Sequence, residues 1–260
     1  MKIETYQAGM PSWTDLATSD EAGALAFYSG LFGWEDEPNP AGEGFTYHMQ
    51  KLGGDYVAAI SAQQPHEAEQ GIPPHWNTYI TVDDLEATVA KVAGAGGQVF
   101  AEPFDVMDAG RMAPIADPTG AAVNLWQAKE HPGAGVRNEA GAIAWSELST
   151  TDVDRAGAFF AELFGLDVVK MPGTEGAMYT MLQMGDQPVA GLLQITPEMG
   201  EMPPSWMTYF QVADLEAAMS KAKALGAELP MPAMDGPGLR FAVVIDPQGA
   251  VFGLMQPLEE

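Results

Sequence analysis

Pro73-Pro74-His75-Trp76-Asn77-Thr78-Tyr79 returns as Pro203-Pro204-Ser205-Trp206-Met207-Thr208-Tyr209. Aligned without a gap, residues 73–100 and 203–230 are identical at 12 of 28 positions. Working outward, Trp13 answers Trp145, and Asp20 answers Asp152. Phe27-Tyr28-Ser29-Gly30-Leu31-Phe32-Gly33 answers Phe159-Phe160-Ala161-Glu162-Leu163-Phe164-Gly165, and Asp117-Pro118-Thr119-Gly120 answers Asp246-Pro247-Gln248-Gly249. A period of about 130 residues is a whole domain, well beyond the ~20–50 residues of a solenoid unit. The chain is a tandem duplication, so a site should be sought at matching positions in both halves.

Composition narrows the function classes. The 260 residues are 47% hydrophobic, enough for each half to bury a core. There is no cysteine, which excludes disulfides, thiol nucleophiles and Cys-based zinc sites. No apolar run reaches the ~20 residues that span a bilayer. The start lacks a basic flank and an apolar h-region. A soluble, cytoplasmic protein is the expectation. The net charge of −25 repels phosphate backbones and anionic lipid surfaces, so neither nucleic acid nor membrane is an expected partner. The acids are dispersed, which fits a solvated surface; attraction of a cationic ligand is the functional alternative.

Each half divides again. Around 11–18 a strand is expected, then Asp20 as N-cap, then a helix with Ala24, Leu25, Phe27, Tyr28, Leu31 and Phe32 on one face, stopped by Gly33. Three β segments follow, near 34–38, 44–51 and 55–62. The order recurs with a strand at 78–82, a cap at Asp83 or Asp84, a helix striped by Leu85, Val89 and Val92, and strands near 98–102, 110–116 and 121–127. Asp117-Pro118-Thr119-Gly120 reads as a tight turn. The result is an α+β fold of four βαβββ modules, at about 11–63, 74–127, 143–195 and 204–257. Helices should lie outside curved sheets that enclose clefts. The domains are expected at 1–130 and 142–260. A linker at 131–141 contains the turn-like His131-Pro132-Gly133-Ala134-Gly135, and 63–73 reads as a loop.

Three signatures coincide: Asp20 to Trp34 with its Phe-Tyr-x-x-Leu-Phe-Gly-Trp core, Tyr79-x-x-Val82-x-Asp84-Leu85, and Gly110-Arg111 leading to Asp117-Pro118-x-Gly120. In these the chain resembles the vicinal oxygen chelate superfamily, which includes glyoxalase I, extradiol dioxygenases and bleomycin-resistance proteins. The likeness covers almost the whole chain, twice, and is nearest to tandem actinobacterial-type glyoxalase-like proteins. The resemblance implies metal ligands at set points: seven residues before the helix-opening Asp, and seven after the Asp of Asp-Pro-x-Gly. Those points hold Trp13, Asn77 and Asn124 in the first half, and Trp145, Met207 and Gly253 in the second. None is His or Glu. No metal and no other cofactor is therefore expected.

Strand alternation supplies the rest of the candidate site. If Trp13 faces the cleft, so does Asp15; the matching pair is Trp145 and Glu147. Pairing across the Asp117–Gly120 turn would set Arg111 beside Trp126 and Ala113 beside Asn124, all on one face, with Arg240, Met255, Ala242 and Gly253 as the second set. On this reading Asp15–Arg111 and Glu147–Arg240 are candidate buried ion pairs, either orienting a ligand or linking the sheet where the metal would be. Tyr47 and Tyr79, with Tyr179 and Tyr209, could line the clefts for a flat ligand; Trp76 and Trp206 could line them too, or pack as core. The many methionines of the second half, Met207 and Met255 among them, are core filler or an adaptable wall. The leading expectation is metal-free binding of a small aromatic or cationic molecule by a monomer or weak homodimer. The alternative is a glyoxalase-like lyase or isomerase, or a dioxygenase-type enzyme, with an atypical metal or carboxylate site.

Overall fold

The computed structural model describes residues 2–42, 44–172 and 178–258. The first half runs β1 (Pro11–Thr18), α1 (Glu21–Phe32), β2 (Glu35–Pro40), β3 (Thr46–Leu52), β4 (Asp55–Ala62), α2 (Pro65–Glu69), β5 (His75–Thr81), α3 (Leu85–Val92), β6 (Gln98–Val99), β7 (Phe104–Val106), β8 (Gly110–Ala116) and β9 (Ala122–Ala128). The second runs β10 (Ile143–Thr150), α4 (Val153–Phe164), β11 (Asp167–Pro172), β12 (Met178–Met184), β13 (Gln187–Gln194), β14 (Ser205–Gln211), α5 (Leu215–Ala224), β15 (Met234–Gly236), β16 (Leu239–Ile245) and β17 (Val251–Pro257). The βαβββ order recurs as expected in three modules, and the second module carries one strand more, with both β6 and β7 before β8. The 63–73 segment, read as loop, contains the short helix α2.

Four aspartates start the four long helices in the same way. The carboxylates of Asp20, Asp84, Asp152 and Asp214 accept from the backbone N–H three residues on, at 2.9–3.0 Å. Each satisfies a donor that the first turn leaves orphaned. Gly33 and Gly165 end α1 and α4 at φ 75° and 69°, the left-handed stop that glycine adopts without a Cβ penalty.

Each half makes one sheet, ordered β2-β3-β4-β1-β5-β9-β8-β6 and β11-β12-β13-β10-β14-β17-β16-β15. The two modules of a half meet where β1 runs antiparallel to β5, and β10 to β14. One face of each sheet lines the cleft. The other carries the helices, and there the two halves close on each other. One core cluster joins Leu16, Phe27, Tyr28 and Ile60 of the first module, with Trp76 of β5, to Phe210, Leu215, Phe252 and Leu254 of the last. The second joins Ile80, Leu85, Val92 and Leu125 to Leu148, Phe159, Phe160 and Trp206. Trp76 and Trp206 therefore belong to the seam between the halves, on the face opposite the clefts. Thr14 and Thr208 share a buried 3.0 Å hydrogen bond across the same seam.

The seam is pseudo-symmetric in its packing, but its hydrogen bonds are not. Trp76 Nε1 donates to the Tyr28 hydroxyl at 3.0 Å, and Tyr28 donates to Asp246 Oδ2 at 2.9 Å. The matching trio is Trp206, Phe160 and Asp117. The rings pack alike: Tyr28–Trp76 centroids are 5.2 Å apart at 89°, Phe160–Trp206 centroids 5.4 Å apart at 85°. Phe160 has no hydroxyl, and both Trp206 Nε1 and Asp117 Oδ2 are buried without a hydrogen-bond partner.

Candidate functional site

On β1, the bonds to β5 put Trp13 opposite Tyr79 and Asp15 opposite Asn77. Asn124 of β9 pairs with Tyr79. Directly opposed residues share a face, so all five line one cleft. Asp15 is buried and fully occupied. Its Oδ2 accepts from Tyr47 at 2.7 Å and from Tyr79 at 2.6 Å, and its Oδ1 from Asn77 Nδ2 at 2.9 Å. Trp13 Nε1 donates to the Tyr47 oxygen at 2.9 Å, which completes a Trp–Tyr–carboxylate chain.

The second half repeats the arrangement on β10 and β14. Trp145 opposes Tyr209, and Glu147 opposes Met207. Glu147 Oε2 accepts from Tyr179 at 2.5 Å and Oε1 from Tyr209 at 3.0 Å, while Trp145 Nε1 donates to Tyr179 at 3.0 Å. Where Asn77 helps hold Asp15, Met207 offers no donor. Burial pushes both carboxyls up from their ordinary values, against the pull of the tyrosine hydrogen bonds. The same burial, with the adjacent carboxylate, holds the hydroxyls of Tyr47, Tyr79, Tyr179 and Tyr209 protonated.

Two glycines make room for the second network. A Cβ on Gly191, which pairs with Glu147, would meet Tyr179 Oη at 1.7 Å. A Cβ on Gly253 would meet Tyr209 Cδ1 at 2.0 Å. Gly191 was absent from the sequence-derived set, although its counterpart Ala59 is also small and pairs with Asp15.

The expected ion pairs with arginine do not form. Arg111 stands opposite Gln127, and Met112 opposite Trp126; Ala113 faces Leu125, and Pro114 faces Asn124. In the second half Arg240 pairs with Gln256, Phe241 with Met255, Ala242 with Leu254 and Val243 with Gly253. The loop is one residue longer than the four-residue turn assumed: Asp117 N donates to Ala121 O, and the strands resume at Ala116 opposite Ala122. A one-residue shift moves every side chain to the other face. Arg111 and Arg240 consequently lie on the helix side. Arg111 meets Glu86 at 2.6 Å and Asp105 at 3.4 Å; Arg240 meets Glu216 at 2.9 Å and Asp235 at 3.0 Å. These partners are well exposed, and such pairs contribute roughly 0–1 kcal/mol. Trp126 and Met255 stay on the cleft face, joined there by Met112 and Phe241.

The linker supplies a residue that composition had assigned only to a turn. His131 stands edge-on to Trp13, with centroids 4.4 Å apart at 86°, and 6.1 Å from Trp126, whose Nε1 donates to the His131 carbonyl at 2.9 Å. Burial lowers its pKa to about 4, so the ring is neutral, and its Nε2 is buried without a hydrogen-bond partner. The chain beyond is anchored: Ala134 N donates to Ser12 O, Gly135 N to Tyr56 O, and Arg137 to the Pro11 carbonyl. A shallow depression of about 540 Å³, lined by Thr151, Ile195, Thr196 and Met202, lies outside both clefts; its one carboxylate is Glu201, and it takes no part in either network.

A divalent ion does not fit the positions where the superfamily places one. Trp13, Asn77, Asn124, Trp145, Met207 and Gly253 offer no imidazole and no carboxylate. The Tyr209 ring fills the space a side chain at 253 would need, and the oxygens of Asp15 are spent on three donors. Among the described residues no three of His, Cys, Asp and Glu gather at metal-holding distance. Also among them, no helix is long and apolar enough to cross a membrane.

Residues 11–125 match the family model of the glyoxalase/bleomycin resistance protein/dioxygenase superfamily, and residues 145–255 match that of the glyoxalase-like domain. The chain is 46% identical over 98% of both chains to a Mycobacterium tuberculosis protein named "Putative glyoxylase CFP32". It is 34% identical to "Anthracycline biosynthesis protein DnrV" of Streptomyces peucetius, over 96% of this chain and 94% of that one. In fold it is similar to the Mn(II)-bound glyoxalase of Novosphingobium aromaticivorans, with a TM-score of 0.67 at 17% identity, over 98% of this chain and 84% of that one. Two halves of this fold, repeated modules and relatives aligned end to end together place the chain in the glyoxalase/bleomycin resistance protein/dioxygenase superfamily.

Proposed function

We propose that the chain binds a small, flat aromatic molecule on a cleft face without the help of a divalent ion. The observation that carries this reading is the second cleft wall. Trp145, Tyr179, Met181, Met207, Phe241 and Met255 converge there, each only half-buried, around a carboxylate already held by two tyrosines. Converging apolar side chains around a few fixed polar groups are the usual make-up of a small-molecule site. Met side chains adapt to a ring's outline. The 34% identity to a protein named for anthracycline biosynthesis supports the same reading. The dispersed acidic surface would tolerate a cationic substituent.

The test is titration calorimetry of chelator-treated protein against neutral planar aromatics, with 1,4-dihydroxyanthraquinone as the reference probe. At about 0.3 kcal/mol per non-hydrogen atom, its roughly 18 atoms give about −5 kcal/mol, a Kd on the order of 100 μM. Saturable binding of that order supports the reading. Silence across such a panel overturns it.

A second reading rests on the two raised carboxyls. A buried carboxylate with an elevated pKa can act as a general base, which would suit a lyase or isomerase. Nuclear magnetic resonance of the ligand after prolonged incubation separates the two: chemical change with turnover favours the enzyme.

A further inference from the structure

The two clefts are built alike but not left alike. In the first, the linker returns along β1 and lays the His131 ring against Trp13, beside Trp126 and 6.5 Å from Tyr56. Trp13, Met49 and Trp126 are buried. In the second, the matching Trp145, Met181 and Met255 are half-exposed. The strand that corresponds to β9 ends at Pro257, and Leu258 after it is 45% exposed. The replacements between clefts run toward a more apolar wall: Trp126 becomes Met255, Asn124 becomes Gly253, Asn77 becomes Met207 and Met112 becomes Phe241.

We infer that His131 is a built-in occupant of the first cleft, and that the second cleft is the one that receives a ligand, a neutral aromatic ring seated on Trp145 beside Met255 and Phe241. The linker ring shows what such a ligand would touch. His131 sits on Trp13 with Trp126, the partner of Met112 across the strands, 6.1 Å away, and Trp145 with the Phe241–Met255 pair is the matching set by symmetry. Edge-to-face packing on an indole is the geometry that a neutral ring prefers. No formal charge is needed, because Glu147 is already satisfied by Tyr179 and Tyr209. This inference rests on the reading of the clefts as small-molecule sites, and it assigns that role to one of them.

The test uses the full chain and two probes. With 1,4-dihydroxyanthraquinone, calorimetry should give one site per chain in the wild type. Met255→Trp and, independently, Met207→Trp should weaken that site at least tenfold, because both fill the second cleft. His131→Phe keeps the plug and should leave the stoichiometry at one. His131→Gly should raise it to two. In a separate arm, free imidazole should raise the melting temperature of His131→Gly by refilling the vacated space, with no such effect on the wild type or on His131→Phe. His131→Ala is the substitute if the glycine variant does not fold. Two sites in the wild type, or binding indifferent to both tryptophan substitutions, would overturn the assignment while leaving small-molecule binding intact. An imidazole response equal in wild type and His131→Gly would overturn the plug. Absence of any aromatic binding would instead remove the proposed function, and the imidazole arm would still decide what His131 does.

Discussion

Tyr28→Phe is expected to lower stability by about 2–3 kcal/mol, and Phe160→Tyr to raise it by about 1 kcal/mol. Both figures follow from one asymmetry in the seam. The Tyr28 hydroxyl accepts from Trp76 and donates to Asp246, so it satisfies two groups from opposite halves of the chain. Its removal strands an indole N–H and a carboxylate oxygen in a dry core, and each orphaned group costs about 1–3 kcal/mol. Asp246 already has its carboxyl pushed up by burial, with the Tyr28 hydrogen bond among the influences that lower it again. Phe160 stands where Trp206 Nε1 and Asp117 Oδ2 have been left in that orphaned state. A hydroxyl there would form two new bonds worth about 0.5–1.5 kcal/mol each, offset by the desolvation of the added oxygen. For a chain of this size 1 kcal/mol moves the midpoint by about 2–4 °C. Thermal melts of the two single variants and the double variant check the account. A destabilising Phe160→Tyr would show that the two orphaned groups are not in reach of position 160.

The second large effect is a pH dependence that resides in His131. Its ordinary value is 6.5, and burial lowers it to about 4 in the folded protein. A histidine depressed on folding contributes stability that is complete above the unfolded pKa and is lost as pH falls from 6.5 toward 4. At 1.36 kcal/mol per unit the full window is worth about 3 kcal/mol. The neighbouring rings, Trp13, Tyr56 and Trp126, carry no charge to offset it. Asp15, Glu147 and Asp246 act in the opposite sense: with folded values raised, they favour the folded state at low pH and lose that contribution as pH rises. The difference between wild type and His131→Phe isolates the histidine. Urea denaturation at pH 7 and pH 4.5 should show the wild type losing about 2–3 kcal/mol relative to the variant. Parallel losses would mean that the ring is hydrated and charged.

Much of this was legible in the chain itself. The repeat, the four Asp caps and the glycine stops follow from local chemistry that needs no coordinates. Alternation along β1 and β10 placed Asp15 with Trp13 and Glu147 with Trp145, because period two is a property of any strand. The arginine pairings failed at a single turn: an Asp-Pro-x-Gly read as four residues spans five, so the strand before it changed face relative to the strand after it. His131 carried no periodic signal, and only the path of the linker along β1 brings it to Trp13. The Tyr28–Phe160 difference was visible as a mismatch between repeats. Its meaning required knowing that Trp76 and Asp246, some 170 residues apart in sequence, flank the same hydroxyl.

The central claim is that tyrosine-bound carboxylates and aromatic rings have replaced metal coordination in both halves. Elemental analysis of protein purified without chelator, then repeated after dialysis against Mn(II), Ni(II) and Zn(II), tests it most directly. The account predicts well under one tenth of an equivalent of any of these ions per chain after a desalting step. One retained equivalent per chain, lost together with Asp15→Ala or Glu147→Ala, would contradict it.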